Sequence, residues 1–434
     1  MGWGMEFALL FAVIAVLLVA GMWTALALVI AGLVVIYVHS GSHTLEAIGS
    51  IEWNSNTNFT LTAVPLFILM GQIIMTSGLS GDFFRAMSHW LRRVPGGLLP
   101  GSIVACSVFA ATTGSSVATA AAVGSVAVPE MKEKGYNMPF AAGTLAAGGT
   151  LGILIPPSIC LILYSSLENV PVTQLFAAGL IPGLLLAGMF IVYILIRGAF
   201  NSELVGERVA PVPLSVLLKG LVRIVPVVAL VCFVVTAIYA GIATPTEAAS
   251  LGVCGALVVS VGRLSPKKLY AACRSAVQTT TMVLGILLGA QFVSFALVNS
   301  GANRAFTDWI VAHNLGKYEL LVAICVVYIL LGDFVEGIGM MLITMPVLFP
   351  VAIAAGFDPV WFGIVVAVLI ELGQITPPVG LNLFVIRGFD RDVLHGQIVR
   401  AALPYAGLMI LLIALLAFFP GIALWLVHHT SQAQ

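Results

Sequence analysis

The sequence predicts an all-α polytopic membrane protein built from inverted repeats, with two re-entrant helical hairpins and two broken transmembrane helices. Three observations carry this: the composition, the placement of basic residues, and a proline motif that occurs twice. Of the 434 residues, 60% are hydrophobic and only 8% charged, and the mean hydropathy of +1.12 lies far from any soluble globular chain. The formal net charge is zero, so total charge names no partner and nothing in it points to nucleic acid.

Apolar segments follow one another at 7–20, 22–38, 59–78, 98–130, 139–164, 174–196, 224–241, 247–262, 277–299, 319–354, 360–386 and 401–427. The first two form 32 uncharged residues, Phe7 to Val38, which as one helix would be about 48 Å long against a hydrocarbon core of about 30 Å. Two short spans bent near Gly21, or one strongly tilted helix, are therefore expected. No Lys or Arg precedes Arg85, so the basic region of a cleavable signal is lacking and the N-terminus reads as mature. The six cysteines have no CxxC spacing and read as small core hydrophobes.

Segments 98–130 and 319–354 are too long for simple spans and too rich in small residues, or in Gly, Pro and acids, to face lipid as single helices. Each reads as a hairpin that returns to the side it entered. Lys and Arg support this. With the N-terminus outside and both hairpins re-entrant, 16 basic residues fall inside and two, Arg304 and Lys317, outside, as the positive-inside rule requires. One true crossing in place of a hairpin would flip every later loop. Both termini are then expected outside. The stretch GDFFRAMSHWLRRVPGG, 81–97, spaces Phe83, Phe84, Met87, Trp90, Leu91 and Val94 helically beside Arg85, Arg92 and Arg93, which predicts an amphipathic helix at the cytoplasmic interface. The polar loop 198–223, with Pro211 and Pro213, separates the halves. The expected organisation is 1–95, scaffold spans and interfacial helix; 96–197, first transport repeat; 198–300, linker and scaffold spans; and 301–434, second transport repeat and last span.

The repeat shows in LGILIPPSICLIL, Leu151 to Leu163, and LGQITPPVGLNLF, Leu372 to Phe384, at a constant shift of 221 residues that also pairs Pro129 with Pro350. The topology runs 139–164 outward and 360–386 inward, so the repeats are inverted. Proline removes an amide donor and leaves earlier carbonyls without helical partners. Free carbonyls persist in a membrane only where they are buried or line a cavity and something else satisfies them. In inverted-repeat carriers a coupling cation does so, while half-helix N-termini face an anionic substrate.

In the first hairpin, Thr112, Thr113, Gly114, Ser115 and Ser116 form a small, hydroxyl-rich turn, and hard cations favour hydroxyl and carbonyl oxygens. In the second, Asp333 and Glu336 lie beside Gly337 and Gly339. Intramembrane carboxylates are costly and default to function; these are cation ligands, proton acceptors or a structural pair. Glu371 is either functional or a buried brace, and Asn382 orients the break or the substrate.

The stretches GSSVATAAAVGSVAVPEMKEKGY, GTLGILIPPSI, GIATPTEAASLGV and ITPPVGLNLFVIRG resemble the large membrane (M) subunit of tripartite ATP-independent periplasmic (TRAP) transporters, a branch of the ion transporter superfamily, and the resemblance covers essentially the whole chain. It implies a sodium-driven importer of an organic acid anion, such as a dicarboxylate or sialic acid, in the bacterial inner membrane. It further implies an elevator mechanism, a small four-helix membrane subunit (Q) as a separate chain, and a periplasmic substrate-binding protein (P). Carried onto this sequence, Gly114, Ser115 and Ser116 with the carbonyls from Gly152 to Pro156 would hold one Na+, and Gly337 and Gly339 with Thr376, Pro377 and Gly380 a second. Substrate is expected between the hairpin tips, near Thr113, Ser115, Ser158 and Asn382, with Asp333, Glu336 and Glu371 as coupling or structural acids. The first hairpin reads Ala118-Thr119-Ala120 where an acid often follows in relatives, so its polar contacts are expected to differ.

Three other classes compete. A channel would build its pore from symmetry between subunits. A proton-coupled carrier or antiporter working without a binding protein would spread Lys, His or Glu across several spans. An intramembrane hydrolase using Ser115 or Ser116 would need an activating His or Lys in the adjoining apolar runs, and none is there. The expectation is a carrier and not an enzyme.

Overall fold

A computed structural model describes residues 3–40, 49, 53, 57–91, 96–204, 214–312, 316–332 and 335–431. Arg92, Arg93 and Val94 of the amphipathic stretch, Arg208, Pro211 and Pro213 of the inter-half loop, and Asp333 lie outside the described residues. The described residues are helical, with no strand among them.

The uncharged N-terminal run forms two helices, α1 (Trp3–Val19) and α2 (Thr24–Ser40), broken at Gly21 as expected. Next come α3 (Ala63–Thr76) and the interfacial α4 (Leu79–Leu91). The first hairpin has arms α5 (Leu98–Thr113) and α6 (Ser116–Glu133). The first broken helix consists of α7 (Met138–Gly149), α8 (Leu151–Leu154) and α9 (Ile159–Glu168), and α10 (Val172–Phe200) closes the half.

The second half repeats this order with α11 (Leu214–Tyr239), α12 (Pro245–Val259), α13 (Pro266–Asn299), α14 (Ala302–Ala312), hairpin arms α15 (Lys317–Leu331) and α16 (Gly337–Ala354), broken helix α17 (Pro359–Ile375) and α18 (Leu381–Arg387), then α19 (His395–Phe418) and α20 (Gly421–Ser431). The apolar run 401–427, expected as one span, is divided between α19 and α20. Pro420 sits at the division and has no amide to continue α19.

The 221-residue shift holds well beyond the proline motif. It carries Thr24 to Pro245, Ser116 to Gly337 and Met138 to Pro359, the first residues of equivalent helices. Helix caps obey it too. Asn137 accepts from the Phe140 amide at 3.1 Å and Asp358 from the Trp361 amide at 2.9 Å. After each hairpin the chain turns through a left-handed glycine, Gly135 (φ +69°) and Gly356 (φ +80°). The following amides, of Tyr136 and Phe357, reach back to the carbonyls of Met131 and Ala352. This C-cap needs a positive φ, which glycine adopts without steric cost.

Six helices among the described residues are long and apolar enough to cross a membrane, with α7 to α9 counted as one. Burial separates the elements by role. The most apolar window of α7 to α9 is 100% buried, against 39% for α10 and α19, and every α17 residue after Pro359 is buried. The broken helices thus form the centre. Around them α2 packs along α13, and α3 against α12 and α13. Tyr164 Oη donates to the Pro359 carbonyl at 2.7 Å, tying α9 to α17, and the hydroxyls of Thr144 and Tyr405, 2.6 Å apart, tie α7 to α19. The hairpin arms run for about 22–27 Å to tips where Gly114 and Gly332 are buried inside the protein. A connection between two complete crossings would emerge at the membrane surface.

Candidate functional site

The site is built where hairpin tips meet broken helices. Pro156-Pro157 and Pro377-Pro378 are both cis. In a continuous helix their amides would reach the carbonyls of Gly152, Ile153, Gly373 and Gln374, and proline supplies no such donors. In the second break, Thr376 Oγ1 donates to the Gly373 carbonyl at 3.4 Å. The equivalent residue of the first break is Ile155, which has no hydroxyl to give.

The structure brings the first predicted set together. Gly114 (φ +61°) lies against the first break: a Cβ there would be 3.0 Å from the Ile159 nitrogen and 3.1 Å from the Pro157 carbonyl oxygen. A Cβ on Gly152 would lie 2.5 Å from the carbonyl oxygen of Ser115. The tip therefore rests on backbone between Gly152 and Pro157, an approach closed to any larger residue.

The hydroxyls assigned to substrate also make local bonds in the tip and the break. Thr113 Oγ1 donates to the Phe109 carbonyl at 3.0 Å and lies 2.7 Å from Thr119 Oγ1. Ser115 caps α6 by accepting from the Ala118 amide, and Ser158 caps α9 by accepting from the Leu161 amide. Asn382 is fully buried. Its Nδ2 donates to Ser116 Oγ at 2.6 Å, and Ser116 Oγ donates to Glu371 Oε2 at 2.7 Å. One hydroxyl on the first hairpin thus joins both halves of the second broken helix.

In the second set, Gly332 and Gly373 meet backbone to backbone. Gly337 faces Ile370, Gln374 Nε2 and Ile153, and Gly339 faces Val335 and Glu336. These contacts fall a turn or so ahead of Thr376, Pro377 and Gly380. Thr376 and Gly380 are buried and Pro377 is exposed. Glu336 caps α16, its Oε2 accepting from the Gly339 amide at 3.2 Å.

Gln374 is a participant that the sequence reading passed over. It is a polar residue directly after Gly373, where the first motif has Ile153, and that contrast was the available signal. It is buried with neither Oε1 nor Nε2 partnered, and Glu371 Oε1 and Asn382 Oδ1 are likewise buried and unpartnered. His395 was also missed; its Nε2 lies 3.3 Å from the Pro378 carbonyl oxygen and its ring stacks on Phe384. Nothing in its sequence surroundings marks it. Among the described residues no three His, Cys, Asp or Glu side chains gather as a metal cluster. The donors at the tips and breaks are carbonyl, hydroxyl and amide oxygens, the set that suits a hard cation.

Duplicated hairpin and broken-helix units, packed so that the breaks lie at the centre of a helical membrane fold, define a secondary carrier architecture. The chain belongs to the family described as "Tripartite ATP-independent periplasmic transporter, DctM component", which matches residues 11–422. It is 33% identical to the C4-dicarboxylate TRAP transporter large permease protein DctM of Vibrio cholerae over 97% of each chain. It is 31% identical to the isethionate TRAP transporter permease protein DctMQ of Oleidesulfovibrio alaskensis, over 96% of this chain and 65% of that one. The fold is similar to that of the YdaH transporter of Alcanivorax borkumensis, with a TM-score of 0.62 at 15% identity over 91% of this chain and 97% of that one.

Proposed function

We propose that this chain is the large permease subunit of a sodium-coupled importer, carrying an organic acid anion across a bacterial inner membrane with both termini on the periplasmic side. The observation that carries the reading is the seating of the Ser115 carbonyl on Gly152, beside carbonyls that Pro156 and Pro157 leave without helical donors. Bound sodium would supply positive charge to oxygens that the chain cannot satisfy itself. Gly114, Ser115 and Ser116 with Gly152 to Pro156 would hold one ion, and the second tip with Gly373 and Thr376 to Gly380 another. The hydroxyls and half-helix N-termini between the tips would receive a carboxylate.

In this reading both hairpins and both broken helices move as one body against the outer spans, an elevator. The buried bonds from Ser116 to Glu371 and Asn382 support it, since they join the repeats into a unit. A periplasmic binding protein and a separate small membrane subunit complete the transporter. Kinship with a DctMQ permease that extends beyond this chain's length supports the second partner. C4-dicarboxylates, isethionate and sialic acid are the first anions to try.

The test is uptake of radiolabelled organic acids into proteoliposomes containing this chain, its small partner and the cognate binding protein, with and without a sodium gradient. Uptake requiring both sodium and the binding protein is the expected result. Uptake driven as well by a proton gradient, or independent of the binding protein, overturns it in favour of a proton-coupled carrier or antiporter.

A further inference from the structure

Three of the residues that carry buried polar atoms without partners lie close together at the centre of the fold. Glu371 is 1% exposed, Gln374 1% and Asn382 0%, and each presents at least one oxygen with no hydrogen-bond donor. They belong to one neighbourhood. Ser116 Oγ touches both Glu371 and Asn382. Gln374 Nε2 and the Ile153 side chain both lie 3.5 Å from the position of a Cβ on Gly337, and the Ile153 amide faces the Glu371 carboxyl. Both hairpins and both broken helices therefore meet here.

No described residue pairs a positive charge with the Glu371 carboxylate. Carboxylate and amide oxygens only accept, so three unpaired acceptors beside the single unpartnered donor, Gln374 Nε2, call for positive charge or for several further donors. Bulk water does not reach them at this burial, and a single trapped water would leave the carboxylate charge uncompensated. Oxygen donors without sulfur or imidazole select a hard cation.

We propose that Glu371, Gln374 and Asn382 form a sodium site of their own between the hairpin tips, separate from the carbonyl cradles of the two breaks. Because all four inner segments border it, the site is complete only when both tips are docked. Its occupancy also bears on cargo: an uncompensated Glu371 carboxylate repels an organic anion, and a cation beside it removes that repulsion. This last consequence rests on the anion-import reading above.

The test counts sodium on the purified complex. Equilibrium binding of 22Na+ and the sodium-induced rise in thermal unfolding midpoint are compared for wild type, Glu371→Gln and Gln374→Leu. The expected result is about one fewer ion bound per chain in Glu371→Gln, with a matching fall of about one in the Hill coefficient for sodium-driven uptake. Gln374→Leu keeps the charge and a similar volume, and is expected to weaken this ion roughly tenfold; it decides the matter if Glu371→Gln fails to fold. Sodium stoichiometry and affinity unchanged in the variants overturn the proposal and leave the importer reading standing. A wild type that binds no sodium overturns both. Variants that lose pH dependence of uptake but retain every sodium ion assign Glu371 to protons and overturn the sodium site.

Discussion

Gly152 and Ser115 approach so closely that a Cβ on the first would lie 2.5 Å from the carbonyl oxygen of the second. Gly152→Ala must displace the hairpin tip or the break, at a cost of about 1–3 kcal/mol. The expected outcome is a lower thermal midpoint and an uptake defect larger than the loss of folded protein explains. Gly188→Ala is the control: nothing lies within 4 Å of its added Cβ, so unchanged stability or a gain of up to about 1 kcal/mol from helix propensity is expected. Equal behaviour of the two variants would refute the docking.

Ser116→Ala removes the hydroxyl shared by Glu371 and Asn382. It leaves buried polar groups unpaired, at about 1–3 kcal/mol. A cycle with Asn382→Ala should show coupling of about 0.5–3 kcal/mol in unfolding free energy. Strict additivity would mean that the two side chains do not share the bond.

Pro350 cannot donate to the Pro346 carbonyl, four residues earlier on α16, and Asn303 Nδ2 of α14 does so instead at 2.8 Å. Asn303→Leu should therefore destabilise by about 1–3 kcal/mol. In a Pro350→Ala background, where a backbone amide is restored, the same change should cost clearly less. A cost that is the same in both backgrounds, measured by thermal unfolding, would dismiss the substitution of donors.

Lys132, beyond the apolar part of the first hairpin, bonds Asp390 at 2.8 Å and Asp392 at 2.6 Å in the loop after α18. Its hydrogen bond and charge hold the Asp392 carboxyl below its ordinary value of 3.8. Hydrogen bonds that Lys132 donates to Asp390 and then to Asp392 raise the ammonium above 10.5. A depressed carboxyl stabilises fully above its ordinary pKa and ceases to do so as pH falls through the folded value. A raised ammonium stabilises fully below its ordinary pKa and ceases to do so as pH rises through the folded value. The difference in unfolding midpoint between wild type and Lys132→Gln should be largest from about pH 5 to pH 9, shrink at more acid pH, and diminish with salt because the lysine is solvated. A difference independent of pH would exclude the ion pairs as its source.

The hairpins and breaks were legible because their causes are local. Thr113-Gly114-Ser115 can turn tightly between small-residue arms, and a double proline interrupts a helix whatever surrounds it. The 221-residue shift was visible at Pro156 and Pro377 and, once the elements are placed, extends to Thr24 and Pro245 in the outer spans. The outer repeat escaped notice because lipid-facing helices need only be apolar, so their sequences preserve little beyond composition. The division of 401–427 at Pro420 was overlooked for a related reason: hydropathy runs straight through it.

By itself the sequence determined the helical membrane class, the duplication, the positions of the tips and breaks, and the family, because composition, periodicity and proline chemistry act over a few residues. Tertiary structure alone decided which oxygens meet. Ser116 is separated by 255 residues from Glu371, and Thr113, Ser115 and Ser158 also make bonds within their own turns and caps. A hydroxyl has several partners within reach in any local sequence, and only the packing of one helix on another selects among them.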